Sequence, residues 1–118
     1  MKLPGPDHPI TVTPAPGRVV VRFRGEIVAD TEHALELREA SYPAVLYIPR
    51  ADAALDHYVR SDHQSHCPYK GDASYFDLKT AGGEAANAVW TYETPYPAMT
   101  EIKDHLAFYP NQVTVERS

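Results

Sequence analysis

The chain has 118 residues, the size of one compact domain, and we expect residues 1–118 to form a single domain. Hydrophobic residues make up 43% and charged residues 23%, which is close to the globular average and argues against wholesale disorder. Sixteen acidic and eleven basic residues give a net charge of -5, which argues against nucleic acid as a partner, because phosphate contacts need clustered Lys and Arg.

Cysteine content and hydropathy indicate a cellular compartment. The single cysteine, Cys67, cannot form an internal disulfide. No apolar run approaches the roughly 20 residues that span a bilayer, and the N-terminal residues lack the apolar core of a signal peptide. We therefore expect a protein of the reducing cytoplasm with no membrane partner.

The first half of the chain begins with short β-rich segments. Residues 1–9 contain three prolines and a glycine and predict an extended N-terminal arm. Residues 10–13 alternate apolar and polar side chains, as a half-buried strand does. The β-rich residues 18–23 and 26–29 predict a hairpin about Arg24 and Gly25, since glycine supplies the positive φ of a tight turn.

The middle of the chain predicts short helices around one buried strand. Residues 31–40 predict a short helix, capped by the side-chain oxygen of Asp30 or Thr31. Residues 44–48 are nearly all apolar and predict a strand covered on both faces. Residues 51–58 have helical propensity, and the polar residues 61–68 predict a loop.

The second half predicts strands joined by turns. Residues 71–78 and 88–92 predict two strands, and residues 99–103 a helical turn. Residues 106–109 and 112–116 predict a closing hairpin. The fold class is therefore mainly β, with about seven strands in a compact antiparallel arrangement and two or three short helices, because parallel pairs need longer crossovers. Oligomerisation would cover exposed sheet edges, so a homo-oligomer is one expected partner state.

The densest group of reactive side chains lies between residues 63 and 71. A thiolate at Cys67 would be a nucleophile, and His66 beside it or Lys70 three residues later would favour that ionised form. The alternative is a small, buried and inert thiol, which is more common. Glu39 is, with His66, a candidate for handling protons.

The same segment offers part of a metal site. His63, His66 and Cys67 carry donors suited to zinc, but structural zinc normally takes four ligands, and no second pair stands at the spacing that zinc sites use. We therefore expect no metal and no cofactor.

A third interpretation is recognition of a small molecule, including an anionic one. Lys70 with Arg50 would contact the anion, while Gly71 lets the backbone approach closely and Tyr69 flanks the lysine. Trp90 and Tyr92 would lie on one face of a strand and wall the pocket. The alternatives are solvated surface charges and aromatic rings that fill the core.

A family resemblance runs through the chain from about residue 18 to residue 115. The residues that carry it are Gly25-Glu26-Ile27-Val28-Ala29-Asp30, Glu39 with Tyr42-Pro43, Tyr47-Ile48-Pro49-Arg50, Cys67-Pro68-Tyr69-Lys70-Gly71 with Ala73-Ser74-Tyr75, Trp90 with Tyr92 and Pro95, and Ala107-Phe108-Tyr109. In these motifs the chain resembles a bacterial domain family of unknown function, number 427, which is sometimes labelled nucleotidyltransferase-like.

The resemblance implies a compact β-tent of the Mss4-like group. Many relatives in that group hold zinc on two paired-cysteine knuckles, which this chain lacks. Nucleotidyl transfer by two metal ions would need closely spaced carboxylates, commonly Asp-x-Asp, and no Asp-x-Asp occurs in the chain. We expect a small-molecule binding domain with a site around residues 67–71 and leave enzymatic activity open. The alternative is a structural or protein-interaction module without catalysis.

Overall fold

A computed structural model describes all residues from Met1 to Ser118 and confirms a mainly β, antiparallel fold. It has ten strands rather than seven. The strands are β1 (Ile10–Pro14), β2 (Val19–Phe23), β3 (Glu26–Thr31), β4 (Leu35–Glu39), β5 (Val45–Pro49), β6 (Tyr58–Cys67), β7 (Gly71–Thr80), β8 (Gly83–Thr91), β9 (His105–Phe108) and β10 (Thr114–Arg117). Three short 3-10 helices span Arg50–Asp52, Leu55–His57 and Pro97–Ile102. None of these helices has the length and hydropathy of a membrane-spanning segment.

Two sheets pack face to face. The large sheet has the strand order β1-β4-β5-β9-β8-β7-β6, and the small sheet has the order β10-β2-β3. Because neighbouring side chains on a strand point to opposite faces, Ile48 and Phe76 join the core under the small sheet, while Tyr47 and Tyr75 lie on the other face. The large sheet is therefore apolar on one face and rich in tyrosine on the other.

The predicted hairpin at Arg24 and Gly25 is confirmed. β2 pairs with β3, and the two turn residues have φ angles of 49° and 86°. Positive φ at both central residues is the geometry of a type I′ turn, whose twist matches that of the flanking strands.

Two predictions in the middle of the chain are wrong. Residues 31–40 form no helix, because Leu35 and Leu37 alternate with polar residues and pair as strand β4 between β1 and β5. Residues 61–68 form no loop, since β6 continues to Cys67. A sheet edge exposes its side chains to water, so a mainly polar sequence is compatible with a strand there.

The predicted closing hairpin is also wrong. β9 lies between β5 and β8 in the large sheet, whereas β10 pairs with β2 in the small sheet. Residues 51–58 hold two 3-10 helical turns in place of the predicted helix. The predicted helical turn near residues 99–103 is present, as the 3-10 helix Pro97–Ile102.

The N-terminal arm is folded against the large sheet. Gly5 and His8 exchange backbone hydrogen bonds across a tight turn. The N–H of Lys2 donates to the carbonyl of Pro68 at 2.7 Å, and the N–H of Ala40 donates to the carbonyl of Pro9 at 2.8 Å. The arm thus connects the end of β4 with the turn between β6 and β7.

Candidate functional site

A cavity of about 240 Å³ opens on the tyrosine-rich face of the large sheet. We call it the tyrosine cavity. Its walls include five tyrosines and a tryptophan, namely Tyr42, Tyr47, Tyr75, Tyr92, Tyr109 and Trp90. Glu39 and Lys70 are the ionisable residues of the wall besides the tyrosines. The volume corresponds to about eight water molecules, at roughly 30 Å³ each.

Strand alternation brings these side chains together. Leu37 and Glu39 lie two apart on β4 and both reach the cavity, as Trp90 and Tyr92 do at the end of β8. Lys70 comes from the turn that joins β6 to β7. The site is therefore built from the ends of several strands.

The central interaction is an ion pair between Glu39 and Lys70. The Lys70 ammonium donates a hydrogen bond to Oε1 of Glu39, and the two side chains are only 9% and 16% exposed. Nε2 of His8 lies 2.7 Å from the other carboxylate oxygen. Burial opposes ionisation of Glu39, but the hydrogen bonds from Lys70 and His8 outweigh it and lower the pKa of Glu39. Glu39 is therefore a carboxylate at neutral pH.

Both members of the pair keep free hydrogen-bonding capacity. The Lys70 ammonium has three N–H groups. Its two partners are Oε1 of Glu39 and, at 3.8 Å, Sγ of Cys67. A carboxylate offers about four lone-pair positions, and two partners contact Glu39. A ligand in the cavity can therefore accept a hydrogen bond from Lys70 and donate one to Glu39.

The aromatic wall is held by its own contacts. The indole N–H of Trp90 donates to the hydroxyl of Tyr47 at 3.2 Å, and the ring of Tyr109 lies 4.7 Å from that of Trp90. Burial raises the pKa of Tyr47 and of Tyr92, and burial together with nearby Tyr75 raises the pKa of Tyr109 to about 12. These phenols are therefore neutral at physiological pH and can both donate and accept.

The N-terminal arm covers one side of the ion pair. The His8 ring stacks on Tyr69 with 4.0 Å between centroids and an angle of 6° between the planes. Tyr69, predicted to flank Lys70 at the ligand site, thus contacts the arm and does not line the tyrosine cavity.

Gly71 begins β7 beside the corner at residues 94–97. It has a φ of 110°, and the N–H of Tyr96 donates to the carbonyl of Lys70 at 2.9 Å. Positive φ is readily adopted by glycine, so Gly71 shapes the backbone around Lys70.

Cys67 and His66 lie outside the cavity wall. Cys67 is half-buried and packs against the tyrosine-rich face. His66 is exposed, and its Nδ1 lies 2.7 Å from Oδ1 of Asp72. The ring of His63 packs against Tyr75 with 4.4 Å between centroids. No group of three or more His, Cys, Asp and Glu side chains is arranged to hold a metal ion.

Arg50 lies on the opposite face of the large sheet. Its guanidinium donates to Glu93 and to Thr91, both at 3.2 Å, and sits 5.6 Å from the ring centre of Phe76. Arg60 binds the same Glu93 through two hydrogen bonds. Arg50 is therefore separated from Lys70 by the sheet.

Sequence reasoning missed several residues of the site. The alternation that places Trp90 and Tyr92 on one face also applies to residues 71–78 and could have identified Tyr75. Tyr47 stands in a uniformly apolar run, where alternation gives no signal. No local pattern connects His8 with Glu39, since 31 residues separate them.

Comparison with protein families matches most of the chain. The model of a family described as "Domain of unknown function (DUF427)", named NTP_transf_9, matches residues 11–118. No protein with a curated description is similar enough to match the chain.

Proposed function

The chain belongs to the DUF427 family, whose description assigns no activity, and we propose that it binds a small planar molecule with an amide-like edge in the tyrosine cavity. An amide-like edge is a carbonyl acceptor next to an N–H donor. The observation that carries the proposal is the Glu39–Lys70 pair, which puts opposite charges side by side in an otherwise aromatic wall.

The pair complements an amide better than a charged group. A ligand carbonyl would accept from Lys70 while the neighbouring N–H donates to Glu39, so both charges remain hydrogen-bonded. A carboxylate ligand would meet repulsion from Glu39, and an ammonium ligand repulsion from Lys70. Arg50, on the opposite face of the sheet, adds no second positive charge.

The aromatic wall favours a flat ligand. Aromatic pairs contribute about 0.5–1.5 kcal/mol beyond the area they bury, in offset-stacked or edge-to-face arrangements. The cavity of about 240 Å³ is smaller than the roughly 300–1,000 Å³ typical of sites for drug-sized ligands. It therefore suits a single substituted ring.

Binding, rather than covalent catalysis, is the function this geometry supports. Sγ of Cys67 lies 3.8 Å from the Lys70 ammonium, and Cys67 does not line the cavity. The His66 ring pairs with Asp72. Glu39 acts as an ionised acceptor, because its lowered pKa leaves no proton to donate at neutral pH.

One observation favours a purely structural role. Lys70 is buried and already bonded to Glu39, as in an ion pair that serves the fold alone. In that case no ligand would compete for these groups, so a binding experiment separates the two functions.

Trp90, the single tryptophan of the chain, reports on the cavity. Benzamide, benzoate and benzylamine should be titrated while its fluorescence is followed, with N-acetyltryptophanamide as the control for non-specific quenching. We expect saturable quenching by benzamide with a dissociation constant in the millimolar range or tighter, roughly -4 kcal/mol. Benzoate and benzylamine should bind more weakly.

The variants Lys70→Met and Lys79→Met make a matched pair. Lys79 forms an exposed ion pair with Glu84 on another part of the surface. Benzamide binding should be lost in Lys70→Met and kept in Lys79→Met. Unsaturable quenching of the wild-type protein by all three ligands would refute the proposal, whatever the variants do.

A further inference from the structure

A second cavity, of about 370 Å³, adjoins the first. We call it the apolar cavity. It lies between the two sheets, with Val21 and Val115 from the small sheet and Ile48 and Phe108 from the large one. Nine of its eleven lining residues are hydrophobic.

The two cavities share part of their walls. Tyr42, Pro43, Val45 and Trp90 line both of them. Trp90 therefore stands between a polar compartment with an ion pair and an apolar compartment without a charged side chain. Tyr42 is 66% exposed, so both compartments adjoin the surface at the same segment.

The apolar cavity is a poor site for ordered water. A buried water needs two to four polar partners, whereas apolar cavities stay dry and accept apolar guests. Burying an apolar group there removes its surface from water, which is favourable in proportion to the area.

We propose that one amphipathic ligand occupies both cavities, with its planar amide in the tyrosine cavity and a short apolar chain or second ring in the apolar cavity. The inference rests on the proposed function and extends it by naming the ligand class. The four shared residues place the two compartments side by side at the exposed segment that holds Tyr42, and their combined size falls within the range of about 300–1,000 Å³ that is typical of ligand sites.

The test compares benzamide with 4-butylbenzamide by Trp90 fluorescence. A buried methylene improves affinity about fourfold, so a partly buried butyl chain should tighten binding by at least about tenfold. Equal affinities for the two compounds would overturn the inference and leave the proposed function standing. Absence of benzamide binding would overturn the proposed function itself.

Matched variants identify where the chain lies. Val115→Glu puts a carboxylate at the apolar cavity, and Val59→Glu makes the same change on β6, at a valine that is similarly exposed, 47% against 41%. Val115→Glu should remove most of the gain from the butyl chain and leave benzamide affinity within about twofold, and Val59→Glu should do neither. If Val115→Glu and Val59→Glu reduced the affinity gain from the butyl chain equally, the inference would be overturned.

A second copy of the chain is the competing occupant. Sedimentation velocity of the wild-type protein and of Val115→Glu tests this. A monomer in both cases supports the ligand. A wild-type dimer that Val115→Glu dissociates would overturn the inference, because the partner would then fill the apolar cavity.

Discussion

The carboxylate of Glu39 accepts a hydrogen bond from the ammonium group of Lys70, although four strand spacings separate β4 from β7 in the large sheet. In a flat sheet that separation would be about 19 Å, which is too far for the two side chains to meet. The sheet must therefore curl around its tyrosine-rich face. The N-terminal arm closes the curl, since His8 contacts both Glu39 and Tyr69.

Replacing Lys70 tests how much the ion pair stabilises the fold. In Lys70→Met the carboxylate of Glu39 stays partly buried with His8 as its remaining partner. Removing one partner of a buried ion pair costs about 3–5 kcal/mol, and we expect the free energy of unfolding of Lys70→Met to fall by about 3 kcal/mol. Denaturant unfolding measures it.

The exposed pair of Lys79 and Glu84 supplies the control. Lys79→Met should change the free energy of unfolding by less than about 1 kcal/mol, as surface ion pairs do. The double variant Lys70→Met, Glu39→Gln should recover part of the stability, because no unpaired charge remains. A loss in Lys70→Met no larger than in Lys79→Met would contradict a stabilising role.

The free energy of unfolding at acidic pH should depend on the ionisation of Glu39. The pKa of Glu39 is lowered in the folded state relative to its ordinary value of 4.5. The ionised Glu39 therefore makes its full contribution to the free energy of unfolding above pH 4.5. The contribution is lost as the pH falls through the lowered folded-state pKa. As the pH is lowered from 7 to below 4.5, the wild-type protein should therefore progressively lose its stability advantage over Glu39→Gln.

Unfolding free energies of both proteins over this range provide the measurement. Glu84→Gln, at an exposed position screened by solvent, should give a curve nearly parallel to that of the wild-type protein. If the difference between wild type and Glu39→Gln stayed constant with pH, the hydrogen bonds to Glu39 would not favour its ionised form.

The sequence could predict the composition of the site better than its assembly. The predicted helix over residues 31–40 includes Glu39, yet Leu35, Leu37 and Glu39 have the two-residue period of a strand. That period, applied there, predicts Glu39 on the same face as two leucines. The five-residue segment was too short for helical and strand patterns to be separated by length.

The pairing of distant segments left no local signal. Arg50 follows Pro49 in a 3-10 turn, and nothing in the neighbouring residues decides which face of the sheet its guanidinium reaches. The order of β9 between β5 and β8 depends on core packing of the whole chain rather than on the turn before it. Strand content is thus a local property, whereas strand order is a global one.

The type I′ turn gives a prediction about backbone strain. Gly25 has a φ of 86°, and a Cβ added there would meet no atom within 4 Å, so the effect of Gly25→Ala is conformational alone. A left-handed conformation costs an L-residue about 1–2 kcal/mol, and the free energy of unfolding should fall by that amount. Gly5→Ala has equally open space without a positive φ and should be nearly neutral. Equal effects of the two variants on thermal unfolding would show that the hairpin does not require glycine.

The hydrogen bond between Trp90 and Tyr47 gives a prediction about the cavity wall. Tyr47→Phe removes the acceptor of the indole N–H while keeping the ring, and a net cost of about 1 kcal/mol is expected for the lost bond.

Tyr42→Phe is the matched control, since Tyr42 lines the same cavity but is 66% exposed. Denaturant unfolding gives the stability of each variant, and the emission maximum of Trp90 reports its surroundings. The emission maximum should shift in Tyr47→Phe and stay unchanged in Tyr42→Phe. If both variants kept the wild-type stability and emission, Trp90 would not be anchored by Tyr47, and the wall between the two cavities would lack the fixed geometry that ligand selection requires.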